Sequence, residues 1–147
     1  MYLIEFGKNY IFWTCLASWA IAQTIKVALG VIREKRFNFR WFVGTGGMPS
    51  AHAASVSALA TSVGVAYGFD SVLFAVTLIF TLVVLFDAQT VRLNAGKQAE
   101  ILNKMLDDIY WKKKLDEQKL KEFIGHTPIE VWAGTALGIL VSLLLYK

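Results

Sequence analysis

Four apolar runs constrain this chain more than any other feature. They cover residues 10–32, 50–67, 71–91 and 128–146. A helix needs about 20 apolar residues to cross the hydrocarbon of a bilayer, with a range of about 17 to 25. The expectation is therefore all-α: a polytopic membrane protein with four transmembrane helices. Composition points the same way. Of 147 residues, 56% are hydrophobic and the mean hydropathy is +0.50, too apolar for an ordinary soluble domain. That length suits one domain, residues 1–147.

The second run is short and rich in Ala and Ser, so it is expected to lie enclosed by the other three. The first run is too long for the apolar core of a secretory signal, carries Gln23 and Lys26, and lacks a small-residue cleavage site. It is kept as a mature helix. "GFD" at 68–70 reads as a tight turn, which makes the second and third helices a hairpin. Cys15, the single cysteine, has no partner for a disulfide or a metal site and reads as core filler. Ala51, Ala54, Ser55, Ala58 and Ser62 give the second helix a small-residue face, and Gly134 and Gly138 form a G-x-x-x-G pair in the fourth. Both permit close helix approach. The same features leave room for a homo-oligomer.

Charge is placed unevenly. The net charge is +4, and of 15 Lys and Arg twelve fall within 33–40 and 92–121. Four spans put both termini on one face and these basic loops on the other. The positive-inside rule then assigns the motif-bearing loops to the cytoplasm. Basic residues beside apolar spans argue for anionic lipid or a phosphorylated substrate as partner, and against nucleic acid. In 94–125, Ile101, Leu102, Met105, Leu106 and Ile109 recur at helical spacing. This is expected to be an amphipathic interfacial segment between helices 3 and 4, with Lys112, Lys113 and Lys114 near headgroups and a second short helix closed by Gly125.

Polar residues cluster at the mouths of the apolar runs. Gln23, Lys26, Gly30 and Arg33 share one stripe of the first helix. A lysine inside a span is costly and faces the bundle interior or a cavity. In "GGMPSAH", Gly46 and Gly47 permit unusual backbone angles, Pro49 and Ser50 suit a first helical turn, and His52 stands at the same end. The unpaired N–H groups of that turn form a ready anion site. In "GHTPIEV", Thr127, Pro128 and Glu130 make a capping box. His126 and Glu130, four apart, would let a carboxylate hold one imidazole nitrogen and leave the other free to act as a nucleophile. Asp87, Arg92 and Lys97 gather where the third run ends; the two cations would neutralise Asp87 or bind phosphate. Structural roles compete with these readings: a snorkelling Lys26, a plain cap at Ser50, an interface ion pair at Asp87.

Three stretches, "GGMPSAHAA", "FDAQTVRLNAGKQAEILN" and "GHTPIEVWAGTALG", resemble the divergent branch of the type 2 phosphatidic acid phosphatases, relatives of the acid phosphatases and vanadium haloperoxidases. The wider superfamily carries K-x6-R-P, P-S-G-H and S-R-x5-H-x3-D. Here Lys26 and Arg33 keep the first spacing, with Glu34 in place of proline. Pro49, Ser50 and His52 keep the second, with Ala51 in place of glycine. His126 and Glu130 keep the end of the third, while Lys119 and Leu120 stand where Ser and Arg are expected. The resemblance implies a lipid phosphatase acting on a lipid phosphomonoester or a polyprenyl phosphate or diphosphate. His126 would be the nucleophile, Glu130 its orienting carboxylate and His52 the general acid and base. Lys26, Arg33, Ser50, Arg92 and the N–H groups after Gly47 would hold the phosphoryl oxygens, with Gln23, Asp87 and Lys97 in support. No metal or other cofactor is implied. Three rivals stand beside it: an inactive lipid-phosphate-binding scaffold of the same fold, a metal site of His52, His126 and Asp87, and a proton-coupled transporter using Lys26 and Asp87.

Overall fold

A computed structural model describes residues 2–35, 47–110 and 126–146. Every element is a helix: α1 (Tyr2–Gly7), α2 (Tyr10–Glu34), α3 (Ala51–Tyr67), α4 (Val72–Gln89), α5 (Val91–Tyr110) and α6 (Pro128–Leu145). Every long helix but α5 begins where a side chain accepts from an opening N–H. Asn9 caps α2 through Phe12 N at 3.1 Å, Ser71 caps α4 through Phe74 N at 3.1 Å, and Ser50 caps α3 through Ala53 N at 3.3 Å. The short α1 folds back on α2, with Trp13 Nε1 donating to Gly7 O at 3.0 Å and Phe6 against Phe12 and Trp13.

Helix α3 is central. Nine of its 17 residues are buried, against only Thr81 and Ala88 in α4. Its small side chains let α2, α4 and α6 each pack on it. Ala22 of α2 meets Ala51 and Ala54, with Leu137 of α6 alongside. Ala53, Ala88, Val131 and Leu85 form a second cluster under the α3, α4 and α6 ends. The α3–α6 contact is backbone on backbone: a methyl at Gly134 would strike the carbonyl oxygen of Ser50, and one at Gly138 that of Ala54. Farther along, Ser62 and Ser142 share a buried hydrogen bond of 2.8 Å. Thr81 donates to Val56 O at 2.9 Å, pinning α4 to α3. Helices α2 and α4 flank α3 without a packed interface of their own.

Three helical stretches are long and apolar enough to cross a membrane: Tyr10–Glu34, Val72–Leu106 and Pro128–Leu145. Three of the four expected spans are among them, and α3 is not. Helix α3, with 17 residues, rises only about 25 Å against a hydrocarbon thickness of about 30 Å. Its expected enclosure is what the burial shows. The expected amphipathic segment is helical from Val91 to Tyr110, and it follows α4 with no loop between, Asn94 N donating to Thr90 O at 2.9 Å. Helix α5 carries Ile101, Leu102, Met105 and Leu106 exposed, but nothing in the fold lays it in an interfacial plane. Lys112 to Lys114 and the second short helix lie outside the described residues.

Outward-facing side chains of α4 are apolar almost throughout, including Val72, Val76, Ile79, Val83 and Phe86. Such a surface belongs against acyl chains rather than water.

Candidate active site

The ends of α2 and α4 and the beginnings of α3 and α6 meet at one end of the bundle. This follows from chain direction: α3 and α6 both start there, and α2 and α4 run toward it. Two backbone hydrogen bonds tie the join. Ser50 N donates to Glu130 O at 3.0 Å, and His126 N donates to Ala88 O at 3.3 Å. The first locks the start of α3 to the first turn of α6. The second locks the residue before α6 to the last turn of α4. Sequence reading missed both, since backbone groups carry no residue-type signal.

His126 is buried, at 2% exposure. Its Nδ1 lies 3.3 Å from Glu130 Oε2. An ionised carboxylate can only accept, so in this contact Nδ1 is the donor. The same Oε2 accepts from Thr127 N at 2.9 Å, while Thr127 Oγ1 accepts from Glu130 N at 3.4 Å. The capping box and the histidine carboxylate pair, which compete as readings of the sequence, are thus one arrangement. The cap fixes the carboxylate, and the carboxylate fixes the ring.

The second histidine reaches the same place from α3. The His52 and His126 ring centroids are 6.3 Å apart, with planes inclined by 59°. His52 is exposed and His126 is not, so the pair has one open flank and one closed. Ser50, fully buried, caps α3 beneath them. Gly47 has φ +86°, a conformation that side-chain-bearing residues rarely take. It brings the backbone against Lys26: a Cβ there would lie 3.3 Å from Lys26 Cγ and 3.4 Å from Cδ. Lys26, half-buried on α2, is within electrostatic reach of the Glu130 carboxylate. Two imidazoles, one ammonium, one carboxylate and the start of α3 therefore meet at this end of the bundle.

Other expected residues stand farther out. Gln23 is buried one turn below Lys26 on α2, and Asp87 is half-buried beside Ala88. Arg33 is exposed two turns beyond Lys26, and Lys97 is exposed on α5. The backbone of Arg92 opens α5, and its side chain lies outside the described residues, as does Gly46. Among the described residues no three His, Cys, Asp or Glu side chains are grouped as metal ligands would be, so the rival grouping of His52, His126 and Asp87 does not assemble. Cys15 is half-buried in α2, away from this end.

Long apolar helices around an enclosed small-residue helix, with a polar cluster at one end, define an integral membrane protein with an end-of-bundle polar site. The chain belongs to the divergent PAP2 family, whose profile matches residues 7–141. It is 40% identical over 153 aligned positions to the uncharacterized membrane protein YuiD of Bacillus subtilis (strain 168), covering 97% of each chain. No solved structure matches it.

Proposed function

We propose that this protein is a lipid phosphatase that hydrolyses a lipid phosphomonoester or a polyprenyl phosphate or diphosphate through a phosphohistidine. One observation carries the reading: a buried His126 whose Nδ1 is held by Glu130, facing an exposed His52 across 6.3 Å between rings.

In the first step His126 Nε2 attacks phosphorus. A P–N bond forms as the P–O bond to the leaving group breaks, and His52 gives its proton to the departing oxygen, that of the lipid alkoxide for a monophosphate or of the lipid monophosphate for a diphosphate. In the second step neutral His52 takes a proton from water, whose oxygen attacks phosphorus. The P–N bond breaks, and phosphate leaves with His126 restored. Glu130 steadies the imidazolium character of His126 in both steps. Lys26, the Ser50 hydroxyl and the opening N–H groups of α3 stabilise charge on the phosphoryl oxygens, and Arg92 is the arginine proposed to complete the clamp. Site and charge belong on the basic, cytoplasmic side, where the headgroup meets water while the tail stays in lipid.

Purified protein should release phosphate from phosphatidic acid or a polyprenyl phosphate. Release should persist in chelator, stop with vanadate and vanish in His126→Ala. With a substrate whose leaving group needs no proton, such as p-nitrophenyl phosphate, His52→Ala should trap an acid-labile, base-stable phosphoenzyme. Release unaffected by His126→Ala, or none from folded protein with any lipid phosphate, overturns the proposal.

The exposure of Arg33 favours a second reading. A clamp short of one arginine suits a lipid-phosphate-binding protein without turnover. In that case vanadate and lipid phosphate bind, but no phosphoenzyme forms in any variant.

A further inference from the structure

The opposite end of the bundle holds a second concave feature that the histidine site does not use. Where α2 begins and α3 ends, a groove of about 370 Å³ is lined by Lys8, Asn9, Tyr10, Tyr67, Val63 and Leu73, with Ile11 and Ala66 between them. It opens in the gap that α2 and α4 leave on either side of α3. Its lining is graded. Lys8, Asn9 and Tyr67 supply cationic and hydrogen-bonding groups at the rim, the Tyr10 hydroxyl is buried, and buried Val63, flanked by the exposed Ala66 and Leu73, makes an apolar floor.

The groove lies at the level of an interface. Asn9 and Tyr10 are where α2 starts, and Phe6, Phe12, Trp13, Tyr67 and Phe69 are all exposed around it. Aromatic residues gather at headgroup depth in this way. Charge selects the occupant. Lys8 is exposed and has no ion-pair partner among the described residues. Asp70, the acidic residue of the adjoining turn, lies against Gly68 and not in the groove.

We propose that this groove binds an anionic phospholipid of the leaflet opposite the histidine site, with its phosphate on Lys8 and Asn9 and an acyl chain along Val63 and Leu73. A cation with an apolar floor at headgroup depth fits that molecule better than a soluble anion, which would gain nothing from the floor. The proposal is independent of the phosphatase reading, because about 25 Å of α3 separates the two ends.

Native mass spectrometry of the full chain tests it, with phosphatidylglycerol and phosphatidylcholine of equal chain length added in turn. Phosphatidylglycerol should be retained about five-fold better, the contribution of one lysine near a membrane surface. Lys8→Gln should erase the preference, and Leu73→Trp, which fills the floor, should reduce retention of both lipids. His126→Ala should leave the preference intact, and inorganic phosphate should not compete. Equal retention of the two lipids overturns the proposal. So does a preference that survives Lys8→Gln, retention indifferent to Leu73→Trp, loss of preference in His126→Ala, or competition by inorganic phosphate.

Discussion

Gly138→Ala tests how the histidine end is built without touching a histidine. Gly138 lies so close to the carbonyl of Ala54 that an added methyl collides with it, with further backbone contacts at Ala54 C and Cα of 2.9 and 3.0 Å. Backbone cannot step aside as the end of a long side chain can. Carbon–oxygen contacts settle at about 3.3 Å, so α6 must retreat from α3 by roughly 1 Å. Overpacking of this kind costs about 1–3 kcal/mol, a large share of a total stability of about 5–15 kcal/mol. One turn farther along, the 2.8 Å Ser62–Ser142 bond would stretch past useful range, losing about 0.6 kcal/mol. At about 4 °C per kcal/mol for a chain of this size, the unfolding midpoint in detergent should fall by roughly 4–12 °C. A second measurement reads the separation itself. In a Cys15→Ser background, Ser62→Cys with Ser142→Cys should cross-link under copper phenanthroline, and adding Gly138→Ala should slow that reaction severalfold. An unchanged midpoint together with an unchanged cross-linking rate would refute backbone contact between α3 and α6 as the element that sets their spacing.

Glu130→Gln keeps an oxygen acceptor for Thr127 N but removes the charge behind His126. Phosphate release should fall by about 10- to 100-fold with little change in melting, which a loss of stability alone would not produce. Thr127→Ala removes the acceptor for Glu130 N and should destabilise α6 by about 1 kcal/mol, seen as a lower unfolding midpoint. Gly47→Ala forces a side chain into φ +86° and against Lys26. It should cost about 1–2 kcal/mol and weaken vanadate inhibition more than it lowers the midpoint.

Much of the fold is legible in the residues, because a bilayer reduces helix finding to length and apolarity. Residues 10–32, 71–91 and 128–146 lie within or beside α2, α4 and α6, and the caps at Ser50 and Thr127 stand where Ser-Ala-His and Thr-Pro-Ile-Glu put them. Helix α3 was harder to place, since a 17-residue run of small side chains satisfies a length rule and an enclosure rule at once. Only tertiary contact separates the two. The direct passage of α4 into α5 has no sequence signal either: Asp87 and Arg92 read as an exit from the membrane, yet Thr90 sits in right-handed helical geometry and carries the hydrogen bonding on. At the site, the i, i+4 spacing of His126 and Glu130 suffices to foresee their contact. The approach of His52, 74 residues away in sequence, rests on α3 and α6 starting at the same end, which hydropathy cannot supply. The motifs carried that expectation.

A polar site in an apolar bundle can form at only a few places, and the geometry here indicates why it forms at this one. Within the span every helical N–H is used, so an anion would meet no backbone donors. At a helix start the first N–H groups have no partner within the helix and the dipole favours negative charge. Two such starts, α3 and α6, are brought side by side by Gly134 and Gly138, and Ser50 N is bound to Glu130 O across them. Two helix ends of the same sign attract no one to each other, so glycine packing must hold them together against their dipoles. Glu130, within reach of Lys26, offsets part of that repulsion. An arriving phosphoryl dianion would offset more, so anion binding should raise the unfolding midpoint of Gly134→Ala, the variant that loosens this junction, by more than it raises that of the wild-type chain.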